Sequence, residues 1–189
     1  MLTSLIQKLL FINQFNMING KIEILGGRYI MLDASDLLML QETDETKMYA
    51  VMKDSSKRNL KSMIEHAKVY KSLKDESMKN IAQLSKRIGK DEEGIIKTLQ
   101  GLFELYGLGS MQIVNLDNKN KQATINIRNS SVALEQLKRK KVKYTACTII
   151  EGILAGMFSY IFNKDVDCVE RKCMAKGDEA CMFVVEQQS

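Results

Sequence analysis

The chain has 189 residues, a formal net charge of +5, 45% apolar residues and 27% charged residues. That balance excludes a disordered chain, and the length suffices for one ordinary domain that buries a core without covalent staples. Proline and tryptophan are absent and histidine occurs once, which excludes collagen-like segments, proline-rich linkers and any catalysis built on several histidines.

In chain order, Leu2, Leu5, Ile6, Leu9, Leu10 and Ile12 recur at helical spacing and predict an amphipathic helix over residues 1–20. This segment lacks the basic n-region and small-residue cleavage site of a secretory signal, so a reducing cytoplasm is the expected compartment. Residues 21–25 and 28–32 are two β-like runs around Gly26-Gly27 and predict a hairpin. Residues 33–74 are charged and helix-permissive, with Met48, Val51, Met52, Leu60, Met63, Ile64 and Ala67 as buried positions. Two further helices, over 77–88 and 92–106, are separated by Gly89. Strands over 111–116 and 122–128 join through Asp117-Asn118-Lys119-Asn120, and a short polar, basic stretch follows. Residues 145–162 form a nearly continuous apolar helix. The end reads as a strand over 166–173, a turn at Lys176-Gly177-Asp178 and a strand over 181–186. Hairpins separated by helices, without regular strand-helix alternation, predict an α+β fold with an antiparallel sheet.

The apolar helix barely reaches the roughly 20 residues of a membrane span and carries Glu151 inside, so no span is expected. Gly152 and Gly156 sit four apart, point the same way and, with Ala155 and Ser159, thin the helix surface. A face of this kind either packs tightly against the sheet or walls a ligand pocket, which makes Gly152 and Gly156 the pocket candidates.

The chemistry concentrates near the C-terminal end. All four cysteines, Cys147, Cys168, Cys173 and Cys181, lie in the last quarter. In a reducing compartment such a cluster points to metal or redox chemistry. Cys173 and Cys181 flank a segment containing Gly177, whose free backbone permits the reversal that brings the two sulfurs together. Glu170, three residues before Cys173, can offer a carboxylate oxygen on the same side. Cys147, at the start of the apolar helix, can complete a tetrahedron. Zinc suits this mixed sulfur and oxygen set, and four protein ligands would leave no open position, which makes the metal structural. Cys168 shares a strand face with Glu170 and is the alternative ligand. It otherwise reads as a buried apolar thiol.

Two stretches carry a resemblance. Glu151-Gly152-Ile153-Leu154-Ala155-Gly156, followed by Val169-Glu170-Arg171-Lys172-Cys173-Met174-Ala175-Lys176-Gly177-Asp178-Glu179-Ala180-Cys181-Met182-Phe183, resembles the signature of the 4-vinyl reductase domain family. Gly107-Leu108-Gly109 before the middle hairpin fits the same pattern. The resemblance is close over residues 101–186 and implies a single domain over 1–189. It implies the ligand-binding fold shared with TRAPP vesicle-tethering subunits and haem-based nitric-oxide sensors. It further implies a homodimer that binds a hydrophobic small molecule or lipid, and a zinc ion held at Cys147, Glu170, Cys173 and Cys181. The His and Trp with which phenol-sensing members grip the hydroxyl have no counterpart, since Trp is absent and His66 lies upstream of the close match.

Two rival readings follow from other residues. Residues 81–127 mimic a winged helix, an alternative in which a DNA-binding regulator makes contacts through Lys86, Arg87, Lys90 and Lys97. The small net charge argues against a nucleic-acid partner. The run Lys138-Arg139-Lys140-Lys141 is either a solvated helix end or a contact to phosphate or anionic lipid. An enzyme is not expected, because there is no G-x-G-x-x-G loop and no Ser/His/Asp set.

Overall fold

The computed structural model of the protein describes residues 22–24, 27–70 and 92–187. The elements are β1 (Ile22–Ile24), β2 (Gly27–Tyr29), α1 (Ala34–Thr43), α2 (Glu45–Tyr70) and α3 (Glu92–Leu105). They continue with β3 (Ser110–Asp117), β4 (Gln122–Arg128), α4 (Ser131–Arg139), α5 (Thr148–Ile161), β5 (Asp167–Lys172), a 3-10 turn (Met174–Lys176) and β6 (Cys181–Glu186). The helices expected over residues 1–20 and 77–88 lie outside the described residues. The chain groups into two compact units, Met1–Met31 with Lys61–Leu105, and Leu32–Leu60 with Tyr106–Ser189.

In the first unit β1 and β2 pair antiparallel with Ile22 opposite Tyr29 and Ile24 opposite Gly27, the hairpin expected around the Gly-Gly pair. Helix α3 buries Leu99, Leu102 and Phe103 at three- and four-residue spacing.

The second unit is built on a four-stranded antiparallel sheet in the order β3-β4-β6-β5. Alternation in the sequence decides its inner face. Ala123, Ile125 and Ile127 of β4 and Cys181, Phe183 and Val185 of β6 are buried, while the residues between them are half-buried. Helix α5 packs against β5 and β6. It buries Ile149, Ile150, Leu154 and Phe158 completely, each stabilising by roughly 1.5–3 kcal/mol. The connector after β4, expected as a polar stretch, is helix α4. Asn129 takes a left-handed backbone at φ 53° to leave the strand. Ser130 then caps the helix by accepting the Ala133 N–H at 3.3 Å. Its buried face holds only Val132, Ala133 and Gln136, too little apolar pattern to show in sequence.

The expectation of a ligand wall at Gly152 and Gly156 is corrected here, because that face is filled by helix α2 and not by open space. A Cβ on Gly152 would stand 2.6 Å from the Tyr49 carbonyl oxygen and 2.9 Å from Met52 Cβ. One on Gly156 would collide with the Lys53 carbonyl and the Ser56 hydroxyl. Ser56 Oγ meets the Ile153 carbonyl at 3.0 Å, replacing a side-chain contact with a backbone one. The same stretch of α2 reaches β5, where Lys53 Nζ contacts Asp167 at 2.6 Å and Asp165 at 3.1 Å. Tyr49 donates its hydroxyl proton to Asp167 at 2.8 Å and accepts the Cys168 N–H at 3.1 Å. Among the described residues no helix is long and apolar enough to cross a membrane.

Candidate metal centre

Strand β5 ends one residue before Cys173, and the chain reverses through the 3-10 turn into β6, whose first residue is Cys181. Gly177 makes the reversal at φ 102°, a left-handed backbone that a side chain would strain. The loop is closed from inside. The Cys173 carbonyl accepts the Lys176 N–H at 2.9 Å and the Asp178 N–H at 3.3 Å, while Cys173 N–H donates to Asp178 Oδ2 at 2.9 Å. Cys147 arrives from the other direction, as the residue just before α5.

These elements bring four donors together. Cys147 Sγ lies 4.0 Å from Cys173 Sγ and 3.8 Å from Cys181 Sγ. With a carboxylate oxygen of Glu170, the four donor atoms all fall within 4.8 Å of one another, and all four residues are buried. A metal-sulfur bond of about 2.3 Å in a tetrahedron sets neighbouring sulfurs about 3.8 Å apart, so the sulfur spacing is that of a coordination shell. A disulfide would need about 2.0 Å, and the cysteines are free thiols.

Glu170 supplies the second test of fit. Its Oε2 accepts the backbone N–H groups of Ala146 and Cys147, at 3.2 and 3.1 Å, at the start of α5. Its Oε1 is buried without any hydrogen-bond partner. An orphaned carboxylate oxygen is costly in a protein interior unless something positive meets it. Three sulfurs and this oxygen can therefore hold a metal ion.

The electrostatics of the bare pocket agree. Burial pushes the Glu170 carboxyl up to about 8, with the neighbouring Cys173 sulfur adding to it. Hydrogen bonds from Cys147 and Cys181 pull Cys173 far down, so that it carries the cluster's negative charge, and the same contacts push Cys147 well up. Three thiols and a carboxyl this close cannot all ionise without a cation between them.

The surrounding donors were not legible in the sequence. Gln41 of α1, fully buried, accepts the Ile149 N–H at 3.0 Å and donates to the Ala146 carbonyl at 2.8 Å, fixing the entry to α5. The Met174 N–H points at Cys181 Sγ at 3.3 Å, and Ser130 Oγ lies 3.6 Å from Cys147 Sγ. Gln41 and Ser130 act across 105 and 17 residues of chain, and no local spacing signals either. Cys168 is buried on β5 outside the donor cluster, its thiol pushed up by burial. The residues Lys86, Arg87 and Lys90 of the winged-helix alternative lie outside the described residues. In the basic run, Lys138 pairs with Glu135 at 2.7 Å and Arg139 with Glu42 at 3.1 Å.

Fold and site together define an α+β domain whose C-terminal strands and long helix converge on a buried cluster of three cysteines and a glutamate. Residues 127–187 match the 4-vinyl reductase domain, and the chain carries that domain over this segment. The match starts later than the 101–186 stretch that resembles the family in sequence. A 40-residue segment is 48% identical to the uncharacterized protein MJ0745 of Methanocaldococcus jannaschii, spanning 21% of this chain and 22% of that one. The fold is similar to the phenol-responsive sensory domain of the transcription activator PoxR, bound to phenol, with a TM-score of 0.64 at 17% identity over 92% of this chain and 83% of that one. A TRAPP complex subunit 3 from Naegleria fowleri covalently bound to palmitic acid gives a TM-score of 0.48 at 13% identity, over 82% and 91% of the two chains.

Proposed function

We propose that this protein is a non-catalytic domain that binds or senses a hydrophobic small molecule, with one structural zinc per chain held by Cys147, Glu170, Cys173 and Cys181. The observation that carries the zinc is the donor set itself: three sulfurs at coordination spacing and a buried carboxylate oxygen with no other partner. With four protein donors no position is left for a substrate, so the ion's contribution is to hold β5, β6 and the start of α5 together. The chain's own residues preset that geometry. The Gly177 turn sets the spacing of the last two sulfurs, and the start of α5 orients Glu170 through two backbone N–H groups.

The sensing part of the reading is supported by the 4-vinyl reductase domain match and by likeness in fold to a phenol-responsive sensory domain. The ligand here is an apolar molecule in place of phenol, since the Trp expected to grip a phenol hydroxyl is absent. We read the active species as a homodimer. The ligand site lies away from Gly152 and Gly156, whose face α2 occupies.

Native mass spectrometry of protein prepared without chelator tests both parts in one spectrum. The expected species is a dimer with one zinc per chain and an apolar molecule released on denaturation. Full occupancy by apo monomer, with no binding of a fluorescent fatty acid, would overturn the sensing reading. Metal-free protein whose melting temperature ignores chelators and Cys181→Ser would overturn the zinc.

A further inference from the structure

We infer that Ser130 is a positioning residue of the metal centre, holding Cys147 through a hydroxyl-to-sulfur hydrogen bond while capping helix α4. The inference rests on the metal reading above.

Ser130 is completely buried, and its Oγ has two neighbours of consequence. It accepts the Ala133 N–H at 3.3 Å, which uses a lone pair and leaves the hydroxyl proton free. Cys147 Sγ lies 3.6 Å away, within hydrogen-bond reach of sulfur. Between a hydroxyl and a thiol either atom can donate. Once Cys147 binds a metal it must be a thiolate with no proton, so the hydroxyl is the only donor between them.

The other donors are served in the same way. Cys181 Sγ receives the Met174 N–H, and Glu170 Oε2 receives the Ala146 and Cys147 N–H groups. Ser130 is the one side chain among these supporting donors. It therefore reaches the site from a different part of the chain, the junction of β4 and α4. Supporting groups of this kind orient ligands, and their loss typically weakens metal binding about 10- to 100-fold.

Cobalt(II) titration of the full chain, followed by its sulfur-to-metal charge-transfer absorption and by chelator competition, tests the role. Glycine is nearly as good an N-cap as serine, so Ser130→Gly keeps the start of α4 while removing the donor. The expected result is a dissociation constant raised about 10- to 100-fold and a charge-transfer band moved to longer wavelength, with Ser130→Thr restoring both. Unchanged affinity and band in Ser130→Gly would leave serine as a helix cap only and overturn the inference. Wild-type protein that takes up no cobalt would instead sink the metal reading, and this inference with it. Should the glycine variant fail to fold, the unsubstituted protein loaded with cadmium-113 decides. A scalar coupling from the metal to the Ser130 hydroxyl proton supports the bond, and its absence rejects it.

Discussion

Glu170 shows how one side chain carries a site's charge problem. Two backbone N–H groups favour its ionised form, yet burial outweighs them and raises it from 4.5 to about 8. In metal-free protein the sign follows directly. The unfolded chain gives up this proton near 4.5 and the folded one near 8, so between those values the native state holds more protons. Metal-free stability should therefore fall as pH rises through that window, by up to about 5 kcal/mol at roughly 1.4 kcal/mol per unit. Chemical denaturation of chelated protein at about pH 5 and about pH 8 checks it, and Glu170→Gln should flatten the dependence. Adding zinc reverses the slope, because metal uptake must expel the protons of Glu170 and the thiols and so strengthens as pH rises. An apo protein equally stable at both values would show that Glu170 is not buried in a cationless pocket.

At the scale of elements, the crossing of α2 over α5 is set by absent side chains. Gly156 admits the α2 backbone so closely that even a methyl group meets the Lys53 carbonyl and the Ser56 hydroxyl. A backbone cannot rotate away as a side chain can. Gly156→Ala should thus destabilise by roughly 1–3 kcal/mol, read as a lower denaturant midpoint, with zinc content unchanged. The crossing is secured by charge at its edge. Partial burial opposes the charge of Asp167, but hydrogen bonds from Lys53 and Tyr49 outweigh that effect and hold its carboxyl below the usual 3.8. A depressed carboxyl stabilises the fold above its unfolded value and ceases to do so as pH falls through its folded value. Acid unfolding should accordingly steepen below about pH 4, and Asp167→Asn should remove that part of the slope. Acid titration curves that superimpose for the two proteins would refute the clamp.

For the whole molecule, a net charge of +5 and a basic run already half engaged by Glu135 and Glu42 supply little attraction for phosphate. DNA binding should be weak, indifferent to sequence and lost by physiological salt. Fluorescence titration against unrelated duplexes checks it, and tight binding to one of them would restore the winged-helix alternative. Much of the architecture was legible because period-2 and period-3.6 patterns are local. The strands 122–128 and 181–186 coincide with β4 and β6, and the apolar stretch 145–162 contains α5. The four donors were legible for a related reason, since a glycine turn must return the chain within a few residues. Helix α4 was missed because a nine-residue helix with two apolar buried positions carries almost no periodic signal.

The sequence by itself determined which residue types could form a metal shell, where the chain reverses and which strand faces turn inward, all consequences of backbone geometry over short spans. Only the tertiary structure decided what meets the thinned face of α5, which carboxylate oxygen lies orphaned, and that Gln41 and Ser130 support the donors. Those outcomes depend on contacts between segments far apart in the chain, where the identity of one partner places no constraint on the spacing of the other.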